Sequence, residues 1–365
     1  MDSDVENLEK IKIGILGCAD VARKVSRAIK LSPNATVHAI GSRSAEKARR
    51  YAAENGFPEG VRVYGSYEEV VEDVEVEAVY VPLPTSMHEK WAVAAAERGK
   101  HVLLEKPAAM DAAEVGRVVE ACERNGVQFM DGTMWMHHPR TARMRELMDD
   151  PELFGQLKSV HLVYTFDAGT EFLMNNIRVK PDLDGLGVLG DIGWYCIRSI
   201  LWAANYELPK TVLAIGDPIK HDAGTLLACG ASLQWGDGKV ATFHCSFLGN
   251  LAMDSTAVGT KGTLRVHDFV IPFEETSAAF TFGSNLRYND LVTGWASRPT
   301  EHVVKNEVPQ EVYMVKEFAT LVGKVKDGGK PEKKWADVCM VTQIVMDAVK
   351  ESIDKGCEPV EVVSN

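Results

Sequence analysis

Apolar residues in the first 131 positions form short runs separated by stretches of helical periodicity. Ile11, Ile13, Ile15 and Leu16 mark a first strand. Val21, Ala22, Val25, Ala28 and Ile29 then recur with the period of one helical face. Ser32-Pro33-Asn34 closes that helix, and residues 36–40 read as a second strand. Further strands are predicted at 61–64, 78–81, 101–104 and 128–131, and helices at 45–55, 86–98 and 112–125. The last two helices are followed by Gly99 and Gly126, which suit the left-handed residue that ends a helix. Strands alternating with helices in this way predict βαβ units and a doubly wound parallel sheet.

Beyond Asp131 the rhythm changes. Residues 157–166, 226–235 and 240–247 alternate with period two, and Gly236-Asp237-Gly238 signals a hairpin between the latter two. Gly259-Thr260-Lys261-Gly262 reads as another turn between strands. Helices are predicted at 192–204, 310–325 and 336–355. The pattern predicts a second, α+β domain with an open, mostly antiparallel sheet, the two domains spanning 1–132 and 133–365.

A chain of 365 residues exceeds a usual single core, in agreement with two domains. The formal charge of -12 argues against nucleic acid or an acidic membrane as a partner, while leaving room for a local basic pocket. No apolar run approaches the roughly 20 residues that span a bilayer. The first residues lack the basic and apolar regions of a secretory signal. Seven scattered cysteines without a C-x-x-C pair fit reduced thiols. A cytoplasmic location follows as the expectation.

Gly17-Cys18-Ala19-Asp20-Val21-Ala22 occupies the turn between the first strand and helix, where a dinucleotide fingerprint belongs. In G-x-G-x-x-G the glycines make the turn, admit the pyrophosphate and allow helix–strand packing. Here Gly17 keeps the first role, Ala19 adds a methyl group at the second position, and Ala22 substitutes at the third. Asp20 must turn its carboxylate away from a phosphate, as it would by capping the helix. A tight βα turn without ligand is the alternative. After the second strand, Gly41-Ser42-Arg43-Ser44 lacks the acid that binds the ribose hydroxyl of NAD. Two hydroxyls and a guanidinium, with Lys47 one turn on, suit a 2′-phosphate, so NADP is predicted over NAD. Helix capping by serine would explain the same serines. Pro82-Leu83-Pro84 stiffens the loop after the fourth strand. His88, just inside the next helix, is either a cofactor-site residue or a structural hydrogen-bonder.

Glu105-Lys106-Pro107 follows the apolar run Val102-Leu103-Leu104. A lysine at the carboxyl end of a parallel strand faces the ligand crevice. Its charge can hold a substrate hydroxyl and ease loss of that proton. Gly17 to Ala22, Pro84 with His88, and Gly99-Lys100-His101-Val102-Leu103-Leu104-Glu105-Lys106-Pro107 resemble the glucose–fructose oxidoreductase / inositol 2-dehydrogenase (Gfo/Idh/MocA) family. The resemblance continues through Trp135, His138-Pro139, Gly187-Val188-Leu189-Gly190-Asp191-Ile192-Gly193-Trp194-Tyr195 and residues 259–264, and so covers nearly the whole chain. The Gly-Cys-Ala-Asp turn and Tyr195 are most similar to the dihydrodiol dehydrogenase branch. The resemblance implies a Rossmann domain, an open sheet in the second domain, and homodimers through that sheet's exposed face. It also implies a cis Lys106–Pro107 bond and catalytic roles for Lys106, Asp191 and Tyr195.

Asp191 and Tyr195 are spaced i and i+4, so they project from one helical face. Many relatives carry His where this chain has Tyr195. A phenol, with an unperturbed pKa of about 10, needs a nearby cation to act as a base near neutrality, and Lys106 is the candidate. Tyr195 assisted by Lys106 would take a hydroxyl proton while hydride passes to nicotinamide. Asp191 would orient substrate or lysine, unless it serves only the helix dipole. Glu105 is grouped with the cofactor residues as support for the lysine. Trp135 and Trp194 wall the substrate site or pack the core. No histidine has metal-ligand spacing, so no metal is expected.

These readings combine into an NADP-dependent oxidoreductase acting on a hydroxyl or carbonyl carbon of a sugar, polyol, dihydrodiol or related small molecule. The alternative is a non-catalytic NADP-binding sensor or scaffold, which has no need of the Lys106 and Tyr195 pair. A hydrolase or eliminase using transient oxidation is a third.

Overall fold

The computed structural model describes residues 10–363. Its first sheet contains β1 (Ile11–Leu16), β2 (Ala35–Gly41), β3 (Arg62–Tyr64), β4 (Ala78–Val81), β5 (His101–Leu104) and β6 (Phe129–Asp131). All are parallel, in the order β3-β2-β1-β4-β5-β6. Every position of β4 and β5 is buried, as expected of strands covered by helices on both faces. The connecting helices are α1 (Asp20–Leu31), α2 (Ala45–Glu54), α3 (Tyr67–Glu72), α4 (His88–Glu97) and α5 (Ala112–Arg124). Ser44, Ser66 and Asp111 accept N-terminal amides of α2, α3 and α5 and so define where those helices start. On α1 the buried face is Ala22, Val25, Ser26, Ala28 and Ile29. Val21, assigned to that face by periodicity, is instead 38% exposed and lies off the buried face of α1.

The second sheet is built from β7 (Leu157–Asp167), β8 (Thr211–Ala214), β9 (Ile219–Lys220), β10 (Leu226–Gln234), β11 (Val240–Ser246), β12 (Leu248–Gly259), β13 (Gly262–Val266), β14 (Ser277–Ser284), β15 (Thr300–Lys305) and β16 (Val360–Glu361). Its path is β15-β14-β13-β12-β7-β11-β10-β8-β16, with β9 on β10. Only β7 and β11 pair in parallel; the other neighbours are antiparallel. The Gly236-Asp237-Gly238 hairpin is present, pairing Gln234 with Val240. Helices α6 (Pro139–Asp149), α7 (Gly169–Asn175), α8 (Pro181–Asp184) and α9 (Trp194–Ala203) belong to this part. The predicted 192–204 helix differs at its start: Leu189–Gly193 forms a π turn leading into α9, buried at every position. Gly187 precedes it at φ +58, where a Cβ would fall 2.3 Å from the Leu226 carbonyl oxygen. The chain therefore bends against β10 at a point only glycine can occupy.

Two long helices complete the chain, α10 (Gln310–Lys326) and α11 (Lys334–Asp354). Contacts group the residues up to His137 with Val308–Met340, and His138–Glu307 with the residues from Val341 onward. The sequence pattern instead places a single division at 132/133. The physical reason for the return is apolar: Val315, Phe318, Ala319 and Val322 of α10 are buried in one cluster with Ala22, Val25 and Ile29 of α1. Phe318→Ala should lower unfolding free energy by about 3–5 kcal/mol, the cost of a large aromatic cavity, read from urea melts. A loss below about 1 kcal/mol would show that α10 is not part of that core.

Candidate active site

In the first unit, Leu16, Gly41, Val81, Leu104 and Asp131 end their strands on one edge, and the segments after them carry the predicted site. Gly17 has φ +115, donates its N–H to the Gly41 carbonyl at 2.8 Å and would meet Leu83 if it had a Cβ. Ala19 adopts φ -82 and ψ 156, an extended conformation that does not require glycine. Its carbonyl accepts from the Tyr51 hydroxyl at 3.1 Å. Asp20 does not cap α1: it is the first helical residue, exposed, and the capping position is Ala19, which has no side-chain acceptor. The N-terminal amides of α1 are thus left without a side-chain cap, the arrangement that suits a phosphate.

Ser42 is buried beside the half-buried Cys18 thiol, which burial pushes up. Lys47 and Arg50 both act on that thiol electrostatically. Ser44 caps α2 through Lys47 N–H at 3.3 Å, the role expected of a helix-start serine. Arg43 is exposed and its guanidinium reaches the Tyr67 hydroxyl. Arg50 escaped the sequence reading, although its three-residue spacing from Lys47 on a helix was the available signal.

Lys106 is set by its neighbour. The Tyr80 hydroxyl donates to Glu105 Oε1 at 2.5 Å, and the Lys106 N–H donates to Glu105 Oε2 at 3.2 Å. Gly132 closes on the same carboxylate, where a Cβ would lie 3.1 Å from Oε1. Glu105 therefore braces the strand end rather than facing outward. The Lys106–Pro107 bond is cis. His88 is buried, with Nδ1 2.9 Å from the Pro107 carbonyl oxygen and 3.3 Å from that of Ala108, and Nε2 2.8 Å from that of Leu83. Its ring ties the Pro82-Leu83-Pro84 loop to the segment after Lys106, which is the structural role. Burial pushes it down to about 4, outweighing the carbonyls that favour the charged ring.

In the second unit the π turn carries Asp191, and α9 begins with Trp194 and Tyr195. A π turn winds wider than an α turn, so four residues still return to nearly the same face. Asp191, buried, pairs with Arg178 Nε at 2.8 Å. Tyr195 is buried, with its ring 6.2 Å from that of Tyr164 on β7. Arg178 and Tyr164 were not found from the sequence, since neither falls in a recognisable motif. Trp194 is fully buried, with the Arg198 guanidinium 5.1 Å from its ring, a core setting rather than an open wall. Trp135 in the first unit is also buried.

Two family models match the chain. Residues 11–133 match the Gfo/Idh/MocA oxidoreductase family with an NAD-binding Rossmann fold, and residues 141–265 match the Gfo/Idh/MocA C-terminal domain. The chain belongs to the Gfo/Idh/MocA oxidoreductase family. Among its relatives, dTDP-3,4-didehydro-2,6-dideoxy-alpha-D-glucose 3-reductase of Streptomyces violaceoruber is 33% identical over 64% of each chain, a little under two thirds of that enzyme's length. D-xylose 1-dehydrogenase (NADP(+)) 2 of Haloferax volcanii is 36% identical over 64% of this chain and 69% of its own. Trans-1,2-dihydrobenzene-1,2-diol dehydrogenase of Danio rerio is 30% identical over 70% and 74%. The fold matches KijD10, a 3-ketoreductase from Actinomadura kijaniata crystallised with NADP and TDP-benzene, at TM-score 0.79 and 25% identity, over 94% of this chain and 98% of that one. Among the described residues no helix is long and apolar enough to cross a membrane, and no cluster of three or more His, Cys, Asp or Glu could hold a metal.

Burial also makes a prediction about pH. His88, His101 and His138 are each pushed down to about 4 from 6.5. The unfolded chain binds these protons first, so stability should fall as pH drops from 6.5 toward 4, by about 1.4 kcal/mol per unit for each ring. Urea midpoints at pH 7 and pH 5 should differ accordingly, and His101→Asn should flatten the slope. Equal midpoints at the two pH values would contradict neutral buried rings.

Proposed function

We propose that the chain is an NADP-dependent dehydrogenase or reductase that transfers a hydride at a CH–OH carbon of a sugar, polyol, dihydrodiol or related small molecule. The observation that supports this reading is that Lys106 follows β5, the Gly17 turn follows β1 and the basic segment Ser42, Arg43 and Ser44 follows β2, all at the carboxyl ends of one parallel sheet. Arg43, with Lys47 and Arg50 on α2, offers the charge a 2′-phosphate needs, and the strand end from Gly41 to Ser44 carries no acid for a ribose hydroxyl, Glu46 coming only in the first turn of α2. The preference for NADP also agrees with the name of the xylose dehydrogenase and the cofactor crystallised with KijD10.

The residues fit that cofactor through the positive-φ Gly17 turn and the uncapped start of α1. Gly17, Cys18, Ala19, Asp20 and Val21 would hold the pyrophosphate, and Pro82, Leu83 and Pro84 would border the ring. When bound, NADP supplies the hydride acceptor. Lys106 holds the substrate hydroxyl, Tyr195 takes its proton, and Asp191 orients the groups around it. In reduction Tyr195 returns the proton to the forming hydroxyl. Assembly as a homodimer through the outer face of the second sheet is part of the reading, supported by the exposed Val163, Val240 and Val303. The cytoplasm is its proposed location.

A sensor would bind NADP without turnover, which makes the two readings separable. NADP should raise the melting temperature more than equimolar NAD, and Arg43→Glu should abolish the difference; a larger shift with NAD would sink the 2′-phosphate assignment. On a panel of aldoses, polyols and dihydrodiols, Lys106→Ala and Tyr195→Phe should each cut turnover by about 10²–10⁴-fold with NADP binding retained. Tight NADP binding without turnover of any panel member would favour the sensor.

A further inference from the structure

Arg178 enters the second unit from an unremarkable stretch of sequence. It lies in the single turn Ile177–Val179, where the Asn176 side-chain oxygen accepts the Arg178 N–H at 3.1 Å. The turn aims the guanidinium at the π turn, and Nε meets Asp191 Oδ1 at 2.8 Å. The side chain of Asp191 is 9% exposed and that of Arg178 30%. Asp184, at the end of α8, is a second buried carboxylate acting on the same guanidinium. Tyr195, four residues beyond Asp191, acts on it as well.

We infer that Arg178 is a positioning residue for proton transfer, holding Asp191 on the π turn and keeping a permanent positive charge beside Tyr195. This rests on the reading of Tyr195 as the proton carrier. A buried carboxylate alone beside a phenol would oppose its ionisation, since two like charges would share a poorly solvated site. Arg178 opposes that effect from within the same unit. The carboxylates and the Tyr195 oxygen hold the guanidinium charged above its ordinary range despite burial. The interaction is mutual, so the guanidinium favours the Tyr195 phenolate equally.

The neighbouring groups sharpen the assignment. Tyr164 packs against Tyr195; burial, Asp191 and Cys196 push its phenol up and outweigh the opposing pull of Arg178, so it stays neutral. Behind the π turn, burial likewise pushes up the Cys196 and Cys245 thiols, and Cys229 lies 3.5 Å from Cys245. Arg178 is thus a cation acting directly on Asp184, Asp191, Tyr164 and Tyr195, while Arg198, buried on α9, lies 5.1 Å from the Trp194 ring. Arginine suits the place better than lysine, because its planar fork can engage a carboxylate and still present a donor elsewhere.

Phenolate absorbance near 295 nm tests this without a substrate. Subtracting the pH titration of Tyr195→Phe from that of the unaltered protein isolates Tyr195, and the same subtraction is made in an Arg178→Gln background. The Tyr195 midpoint should rise by about one pH unit or more in Arg178→Gln, while Arg178→Lys should hold it near its original value. Equal midpoints with and without the Arg178 charge would overturn the inference. If Arg178→Gln does not fold, Arg178→Gln/Asp191→Asn removes both charges, and Asp191→Asn provides the matched background. The double variant should then titrate Tyr195 higher than Asp191→Asn, and no difference between them would overturn the inference. Turnover of Tyr195→Phe separates the two claims: full activity there would remove the proton-carrier reading itself, whatever Arg178 does to the midpoint.

Discussion

A parallel sheet delivers the carboxyl end of every strand to one edge, and the candidate chemistry of the first unit depends on that constraint. Because β4 and β5 are buried throughout, the polar groups they carry, such as the Tyr80 hydroxyl, are used for internal support. Function is displaced to the residues that follow each strand. There the chain must pass close to itself. Gly17 takes a positive φ against Leu83, and Gly41 sits where a Cβ would be 2.5 Å from the Ser66 carbonyl oxygen. Gly132 backs onto Glu105. The glycine turn, the Ser42 segment and Lys106 all follow strands at this one edge.

The second unit solves a different problem: it must keep charged and phenolic groups inside a packed layer. Asp191 and Tyr195 emerge from a π turn and helix that are buried along their length, so each polar group needs a partner in place. Arg178 serves Asp191, and Arg198 covers Trp194 while its Nε donates to the Thr342 hydroxyl at 2.6 Å. Gly187 lets this segment lie against β10. The polar site is thus supported by backbone geometry as well as by charge.

Much of this was legible because it rests on local pattern. The parallel strands announced themselves as short apolar runs, and Gly99 and Gly126 stopped their helices as expected, both at positive φ. The position of Lys106 just beyond the end of β5 was legible too. What escaped depends on tertiary contact. Helix α3 is only six residues and α6 has few apolar positions in a polar run, so neither carries enough periodicity. The return of α10 to the first unit is a choice between two apolar surfaces that one-dimensional pattern does not distinguish. Val21 has the right spacing for the core but is 38% exposed in the first turn of α1. Asp20 is one position too late to cap. His88 and Trp194 are types found both in sites and in cores, and only their neighbours decide. Arg178 is found only when Asp191 is seen to need a counter-charge.

The central claim, that one edge of the first sheet holds NADP, is tested most directly by hydrogen exchange of backbone amides with and without saturating NADP. Slowed exchange should concentrate in peptides covering residues 17–22, 42–47 and 82–88. Unchanged exchange in all three, with NADP demonstrably bound, would contradict the account.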